Sequence, residues 1–370
     1  MTLEQVGVPN LRVLLAFVSF LGLVIAASEA FAIDPYLGND PYWVLLHEPA
    51  VVKDLRLDDA QQAAYSQLLD QLDLKFFPLR NKSADDATAG MAKISDEVKT
   101  QLKTLLKPEQ LQRLNEILLQ HLGNSSFLLD QVADRLKYTD AQRKRMKDII
   151  AETDAALANE NQDKDNRNAS EPPQVRFVRL KTNEQRKLIA VLKKDQIETL
   201  KAMLGPSFPL AELRQPTFKA PELVNTNEWI NSEPITLAAQ RGKIIVLHFY
   251  AAGCINCIHN YPSYKQWHEQ FQNKDVVLIG IHSPETSSER ESANVRRKAK
   301  DEKLEFPILI DAKNENWDAW GNSMWPSVYL IDKRGYLRDF WPGELKWQGR
   351  DGEKYMRERI VNLLAEPAAK

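Results

Sequence analysis

Between residues 111 and 119 the chain reads Leu-Gln-Arg-Leu-Asn-Glu-Ile-Leu-Leu, with apolar side chains recurring at intervals of three and four. That period places them on one face of an α-helix. Stretches of this kind, rich in Leu, Gln, Lys, Asp and Ala, run from Val52 to Leu204 and predict an all-helical region. Beyond Pro216 the pattern changes. Ile244–Tyr250 is almost unbroken apolar and β-prone, as a strand buried on both faces should be. The turn Ala251-Ala252-Gly253 follows, and a helix is predicted from Cys254 through Phe271. Further strands are expected at 276–281 and 307–311, helices at 289–303 and 317–320, a hairpin of 327–332 with 336–341, and a last helix at 353–365. The expected fold class is therefore α+β multidomain: a helical domain, then an α/β domain whose mixed sheet carries helices on both faces.

Composition sharpens the boundary. From Val52 to Leu204 there are two glycines, no cysteine and no tryptophan, whereas seven of the eight tryptophans follow Pro216. Gly205-Pro206, a helix-stopping glycine followed by proline, marks the change. The expected division is 33–207 for the helical domain and 208–370 for the second, with 208–219 as linker. The polar, proline-ended stretch 159–174 reads as a mobile loop within the helical domain. The apolar run Val13–Ala27, preceded by Arg12 and followed by Ala30-Phe31-Ala32, reads as an export signal cleaved near residue 32, with a retained N-terminal anchor as the alternative. Either outcome puts the cysteines in an oxidising or actively poised compartment, the periplasm or cell envelope. Lys plus Arg number 49 and Asp plus Glu 51, a balance that argues against nucleic acid as a partner.

Asp58-Asp-Ala-Gln61, Thr139-Asp-Ala-Gln142 and Thr182-Asn-Glu-Gln185 each place an N-cap residue three positions before a glutamine. In such a box the cap oxygen takes one free backbone N–H and the glutamine reaches back to another. Lys107-Pro-Glu-Gln110 and Lys193-Lys-Asp-Gln196 keep the glutamine behind a poorer cap, and the irregular spacing gives no fixed period to support a solenoid. Tyr138-Thr-Asp-Ala-Gln142 and its kin resemble the LTxxQ motifs of Spy/CpxP-like envelope proteins. The resemblance implies a helical module that touches unfolded or partner proteins, while ordinary helix capping explains the same residues without a ligand.

The two cysteines stand as Cys254-Ile255-Asn256-Cys257. Residues three apart share one face of a helical turn, so their sulfurs can close a bond of about 2 Å without moving the backbone. At a helix N-terminus the first sulfur meets free N–H groups, which favour thiolate, so Cys254 is the expected nucleophile and Cys257 the resolving thiol. A purely structural disulfide here would close too short a loop to stabilise much. A metal site lacks ligands, with only His259 near in sequence, and haem attachment is excluded by Ile258 in the histidine position. No cofactor or metal is expected.

Residues from about 220 to 364 resemble the thioredoxin-like domains of the TlpA/ResA group of thiol–disulfide oxidoreductases. Phe249-Tyr-Ala-Ala-Gly-Cys-Ile-Asn-Cys-Ile258 is similar to the DipZ-like branch, as is Trp325-Pro-Ser-Val-Tyr-Leu-Ile-Asp332. The resemblance implies a thioredoxin fold, Cys254 as nucleophile, Cys257 as resolving thiol and Pro326 as the cis residue beside them. Trp325, Ile255 and Asn256 would line the substrate groove. His248 stands where thioredoxin keeps a buried acid, and is either a proton shuttle for the resolving thiol or a packed core residue. Ala251 stands where peroxiredoxins place threonine, which disfavours a peroxidase. The expected function is an exported oxidoreductase that reduces protein disulfides and draws on an electron-donor protein. The alternative is a helical, chaperone-like binding protein with an accessory redox domain.

Overall fold

The structure is a computed structural model that describes residues 40–162, 172–214, 216–224 and 227–367. The expected export signal and most of the expected loop 159–174 lie outside these residues. Among the described residues nine α-helices come first: α1 (Pro41–Leu46), α2 (Pro49–Asp54), α3 (Asp59–Phe76), α4 (Ala84–Leu105), α5 (Pro108–Leu122), α6 (Asp130–Arg135), α7 (Asp140–Gln162), α8 (Pro173–Val191) and α9 (Lys194–Leu204). Then follow β1 (Phe218–Lys219), β2 (Trp229–Ile230), β3 (Ile244–Tyr250), α10 (Ile255–Phe271), β4 (Val276–His282), α11 (Ser292–Asp301), β5 (Ile308–Ile310), α12 (Glu315–Ala319), β6 (Ser327–Ile331), β7 (Tyr336–Pro342) and α13 (Gly352–Ala365). A helical region thus precedes a thioredoxin-like fold with a mixed sheet. Among the described residues no helix is long and apolar enough to cross a membrane.

Contacts do not follow the composition boundary. They gather 49–56 and 106–214 into one compact unit, and 40–48, 57–105 and 215–367 into a second. Helices α1, α3 and α4 therefore belong with the sheet, although the composition of α3 and α4 matches that of the helices of the first unit. The reason is aromatic: Phe76 at the end of α3 stacks on Phe218 of β1 at 5.4 Å, and Asp73 accepts the Lys219 amide at 2.6 Å.

In the first unit Leu119, Val132, Met146, Ile149, Leu188 and Leu200 join one buried cluster. Gly205 ends α9 at φ +60, where a side chain would strike the Glu116 carboxylate at 2.1 Å. The glutamines close their expected boxes. Gln61 and Asp58 bond reciprocally, as do Gln142 and Thr139, while Gln110 and Gln196 accept the amides of Lys107 and Lys193. Each side-chain amide also donates to the end of another helix: Gln61 to the Leu105 carbonyl, Gln110 to Leu55, Gln142 to Val191 and Gln196 to Leu136. Thr182 departs from expectation. It lies inside α8, and its hydroxyl turns back to the Val178 carbonyl at 2.7 Å instead of capping.

Among the described residues seven strands form the main sheet in the order β1-β7-β6-β3-β4-β5-β2, with β3, β4 and β5 parallel and the remaining pairs antiparallel, while Lys346–Trp347 and Arg350–Asp351 pair as a separate two-stranded ribbon. All seven residues of β3 are buried, as its unbroken apolar run requires. Register brings three strand ends together, because Tyr250 pairs with His282 on β4 and Phe249 with Ser327 on β6. The helix expected over 289–303 is shorter. A 3-10 turn at Ser287–Arg290 and an extended Glu291 precede it, since the Glu289 carboxylate is engaged elsewhere.

Candidate active site

Where β3 leaves the sheet, Ala251–Gly253 turn the chain and Cys254 becomes the N-cap of α10, in extended conformation. Its carbonyl accepts the amides of Cys257 and Ile258, both at 3.1 Å, which starts the helix. The first-turn N–H groups thus point toward the sulfur end of the loop. Cys254 is half-buried and Cys257 fully buried, and both are free thiols. Burial pushes the Cys257 thiol far up, and the Cys254 side chain adds to the rise, while a hydrogen bond with the Ala251 backbone opposes it. A thiol held protonated until its neighbour is consumed is suited to the second step of an exchange, not to the first.

Pro326 is buried at the head of β6, and the Trp325–Pro326 bond is cis. Trp325 stacks on Trp317 of α12 at 4.1 Å, and its indole N–H donates to the Ser283 carbonyl at 3.0 Å. Ser283 in turn donates its amide to Tyr250, so the ends of β3 and β4 and the head of β6 are tied at one point. Ile255, at 60% exposure, and Met324 stand open to solvent, and Asn256 is exposed. The cysteines, Pro326 and Trp325 thus all belong to one end of the sheet.

His248 lies deeper. Its ring is fully buried, stacked on Tyr264 at 4.0 Å and edge-on to Phe306 at 5.1 Å, above Gly280 of β4. Neither ring nitrogen makes a well-formed hydrogen bond, to Cys257 or to any other group. Burial lowers its pKa to about 3, against a small opposing contribution from the Ile279 backbone. The ring is neutral at physiological pH and is packed as a core aromatic.

Glu289 is the residue that sequence reasoning missed. It is buried, and its carboxylate accepts the amide of Gly253 at 2.6 Å, the amides of Glu285 and Thr286 at 3.0 and 2.9 Å, and the Thr286 hydroxyl. Burial alone would raise its pKa, but these donors and nearby His282 hold it below the ordinary value. The signal available in the sequence was Thr286-x-x-Glu289, a capping box, which announces a turn but says nothing of Gly253. Asn260 was also missed. Buried one turn past Cys257, it accepts the Leu345 amide at 2.8 Å and fixes α10 against the loop after β7.

A half-buried and a fully buried thiol at a helix start, a cis-proline at the same end of the sheet and the mixed strand order define a thioredoxin-like fold. The sequence pattern of the AhpC/TSA family matches residues 214–340. Among known proteins, DipZ of Mycobacterium bovis is 32% identical over 152 residues, which span 40% of this chain and 21% of DipZ. Thiol-disulfide oxidoreductase YkuV of Bacillus subtilis is 26% identical over 155 residues, 42% of this chain and 98% of YkuV. A solved thiol-disulfide isomerase from Corynebacterium glutamicum is 22% identical, covers 40% of this chain and 98% of its own, and superposes with a TM-score of 0.35. The match to DipZ spans about a fifth of that protein, and the family match lies in the C-terminal part of the chain. What the comparisons give is similarity of this part of the chain to proteins that include thiol–disulfide oxidoreductases.

Proposed function

We propose that this chain is an exported thiol–disulfide oxidoreductase that reduces protein disulfides through Cys254 and Cys257. The observation that carries the reading is the division of labour between the two thiols. Cys254 is accessible at the N-cap of α10, and Cys257 is buried with its thiol held protonated. The Cys254 thiolate attacks one sulfur of the substrate disulfide. That S–S bond breaks, a mixed disulfide forms, and the departing thiolate takes up a proton. Cys257 then loses its proton and attacks the Cys254 sulfur, releasing the second substrate thiol and leaving Cys254–Cys257 oxidised. Two electrons have passed to the substrate, and a donor protein must return them by the reverse exchange.

Pro326, Trp325, Ile255 and Asn256 form the surface on which an extended substrate segment lies. His248 serves as packing beneath the site. The periplasm or cell envelope, reached through an N-terminal signal or anchor, is the compartment this chemistry fits.

The test is trapping. In cells, Cys257→Ser should accumulate mixed disulfides linked through Cys254, seen on non-reducing gels and assigned by mass spectrometry of the joined peptides. Cys254→Ser should trap almost nothing. Equal trapping by both variants refutes the assignment of roles, and trapping by neither refutes a protein-disulfide substrate.

A further inference from the structure

Residues 77–81 form a short 3-10 segment between α3 and α4, within the same compact unit as the sheet. Arg80 sits in this segment at 5% exposure. Its Nη1 donates to the Trp320 carbonyl at 3.0 Å, and its guanidinium lies over the rings of Phe77, Tyr329 and Phe340 at 5.4, 5.5 and 5.1 Å. A buried cation is costly to desolvate and persists only where π faces and carbonyls replace its water. Three further contacts join the same two segments. The Phe77 ring meets Trp320 edge-on at 5.9 Å, and Asn81 donates to Asp318 at 3.2 Å. The backbones also touch at Gly321, φ +59, where a Cβ would lie 2.0 Å from the Phe77 carbonyl oxygen.

The gripped stretch, 318–321, leads directly into Trp325-Pro326. Trp317, just ahead of it on α12, carries the ring on which Trp325 stacks. The loop that leads into Pro326 is therefore anchored twice: at Ser283 through the Trp325 indole, and at 77–81 through Arg80. Only the first anchor lies within the segment that matches the known redox family, residues 214–340.

We propose that Arg80 is a positioning residue for the dithiol site. It holds the 320–325 loop so that the groove beside Cys254 is preformed for an extended protein segment, and the helices 57–105 act on the chemistry through this contact. The inference rests on the reductase reading and extends it to a residue outside the redox domain's own family. Preforming the groove spares the substrate the cost of ordering it, so loss of Arg80 should weaken productive binding and leave the thiol chemistry intact.

Arg80→Met keeps the apolar stem and removes the cation and its donor; Arg80→Lys restores both in part. With a protein disulfide as substrate, Arg80→Met should raise KM about tenfold with little change in kcat, the loss of one charge-assisted hydrogen bond. Alkylation of Cys254 by iodoacetamide should proceed at the wild-type rate. The near-UV circular dichroism of the Trp317–Trp325 pair should change, amides 320–328 should exchange faster, and Arg80→Lys should recover part of each effect. A folded Arg80→Met protein with wild-type KM, dichroism and exchange overturns the proposal, as does a variant that loses only thermal stability. If the wild-type chain reduces no protein disulfide, the reductase reading fails on its own, and dichroism and exchange still decide whether Arg80 positions the loop. Should Arg80→Met not fold, Gly321→Ala, which must push the Phe77 carbonyl off the loop, should show the same KM and dichroism changes; wild-type values there overturn the proposal.

Discussion

The Oε1 oxygen of Glu289 accepts a 2.6 Å hydrogen bond from the amide of Gly253, the residue immediately before Cys254. One carboxylate thereby joins the turn that presents the nucleophile to the loop that follows β4.

Glu289→Ala should leave the amides of Gly253, Glu285 and Thr286 without their acceptor. The expected loss is about 2–3 kcal/mol of stability, read by urea unfolding. Because the folded pKa of Glu289 is depressed, its contribution is complete above the ordinary value of 4.5 and disappears as pH falls through the depressed value. The stability difference between wild type and variant should shrink in that acid range. A constant difference would mean the carboxylate is not the source.

His47 offers the opposite pH dependence. Its Nδ1 faces the Trp43 carbonyl at 2.9 Å and its Nε2 the Asp73 carboxylate at 2.8 Å, so both nitrogens are placed to donate. Burial opposes the charge, but Asp73 and the Trp43 carbonyl outweigh it and raise the pKa above 6.5. A raised folded pKa contributes stability that is fully present below the unfolded value and is lost as pH rises through the folded one. Wild type should therefore lose stability above about pH 6.5, by at most about 1.4 kcal/mol per pH unit. His47→Asn should be less stable and flatter in that range, measured by unfolding at several pH values.

His248 should be absent from the pH dependence of activity. With its pKa lowered to about 3, it carries no titration near neutrality. His248→Phe should leave the shape of the pH–rate profile between about pH 5 and 8 unchanged. A shifted inflection in that variant would restore the proton-shuttle role.

A chain beginning at Pro216 should not form a stable redox domain, although composition alone suggested that it would. It lacks Phe76 and Phe77, which are fully buried against Phe218 and Trp320. Their burial contributes about 3–6 kcal/mol together. That is a large share of the stability of a typical domain, about 5–15 kcal/mol. Thermal unfolding of this chain against one beginning at residue 40 checks the expectation; equal melting temperatures would refute it.

The features legible in advance were those with local causes. Ile244–Tyr250 is a strand over the expected residues because an apolar run bounded by a turn has few alternatives. The glutamine boxes at 58, 107, 139 and 193 formed because a cap is settled by residues three apart. Thr182 failed as a cap because the helix begun at Pro173 was already propagating through it, and adding a residue to a helix costs less than ending and restarting one. Glu289 and Gly253 lie far apart in sequence and meet only because β3 and β4 pair in parallel.

By itself, then, the sequence determined the helical and sheet-forming regions and the dithiol with its helix start, since periodicity, capping and the two-residue gap between the cysteines act over one or two turns. Only the tertiary structure decided that helices 57–105 join the sheet, that Arg80 reaches the loop before Pro326, and that Glu289 supports the turn before Cys254. Those contacts depend on which aromatic and charged surfaces are complementary once strands have paired. No local pattern encodes that complementarity, because the energy of each contact belongs to both segments at once.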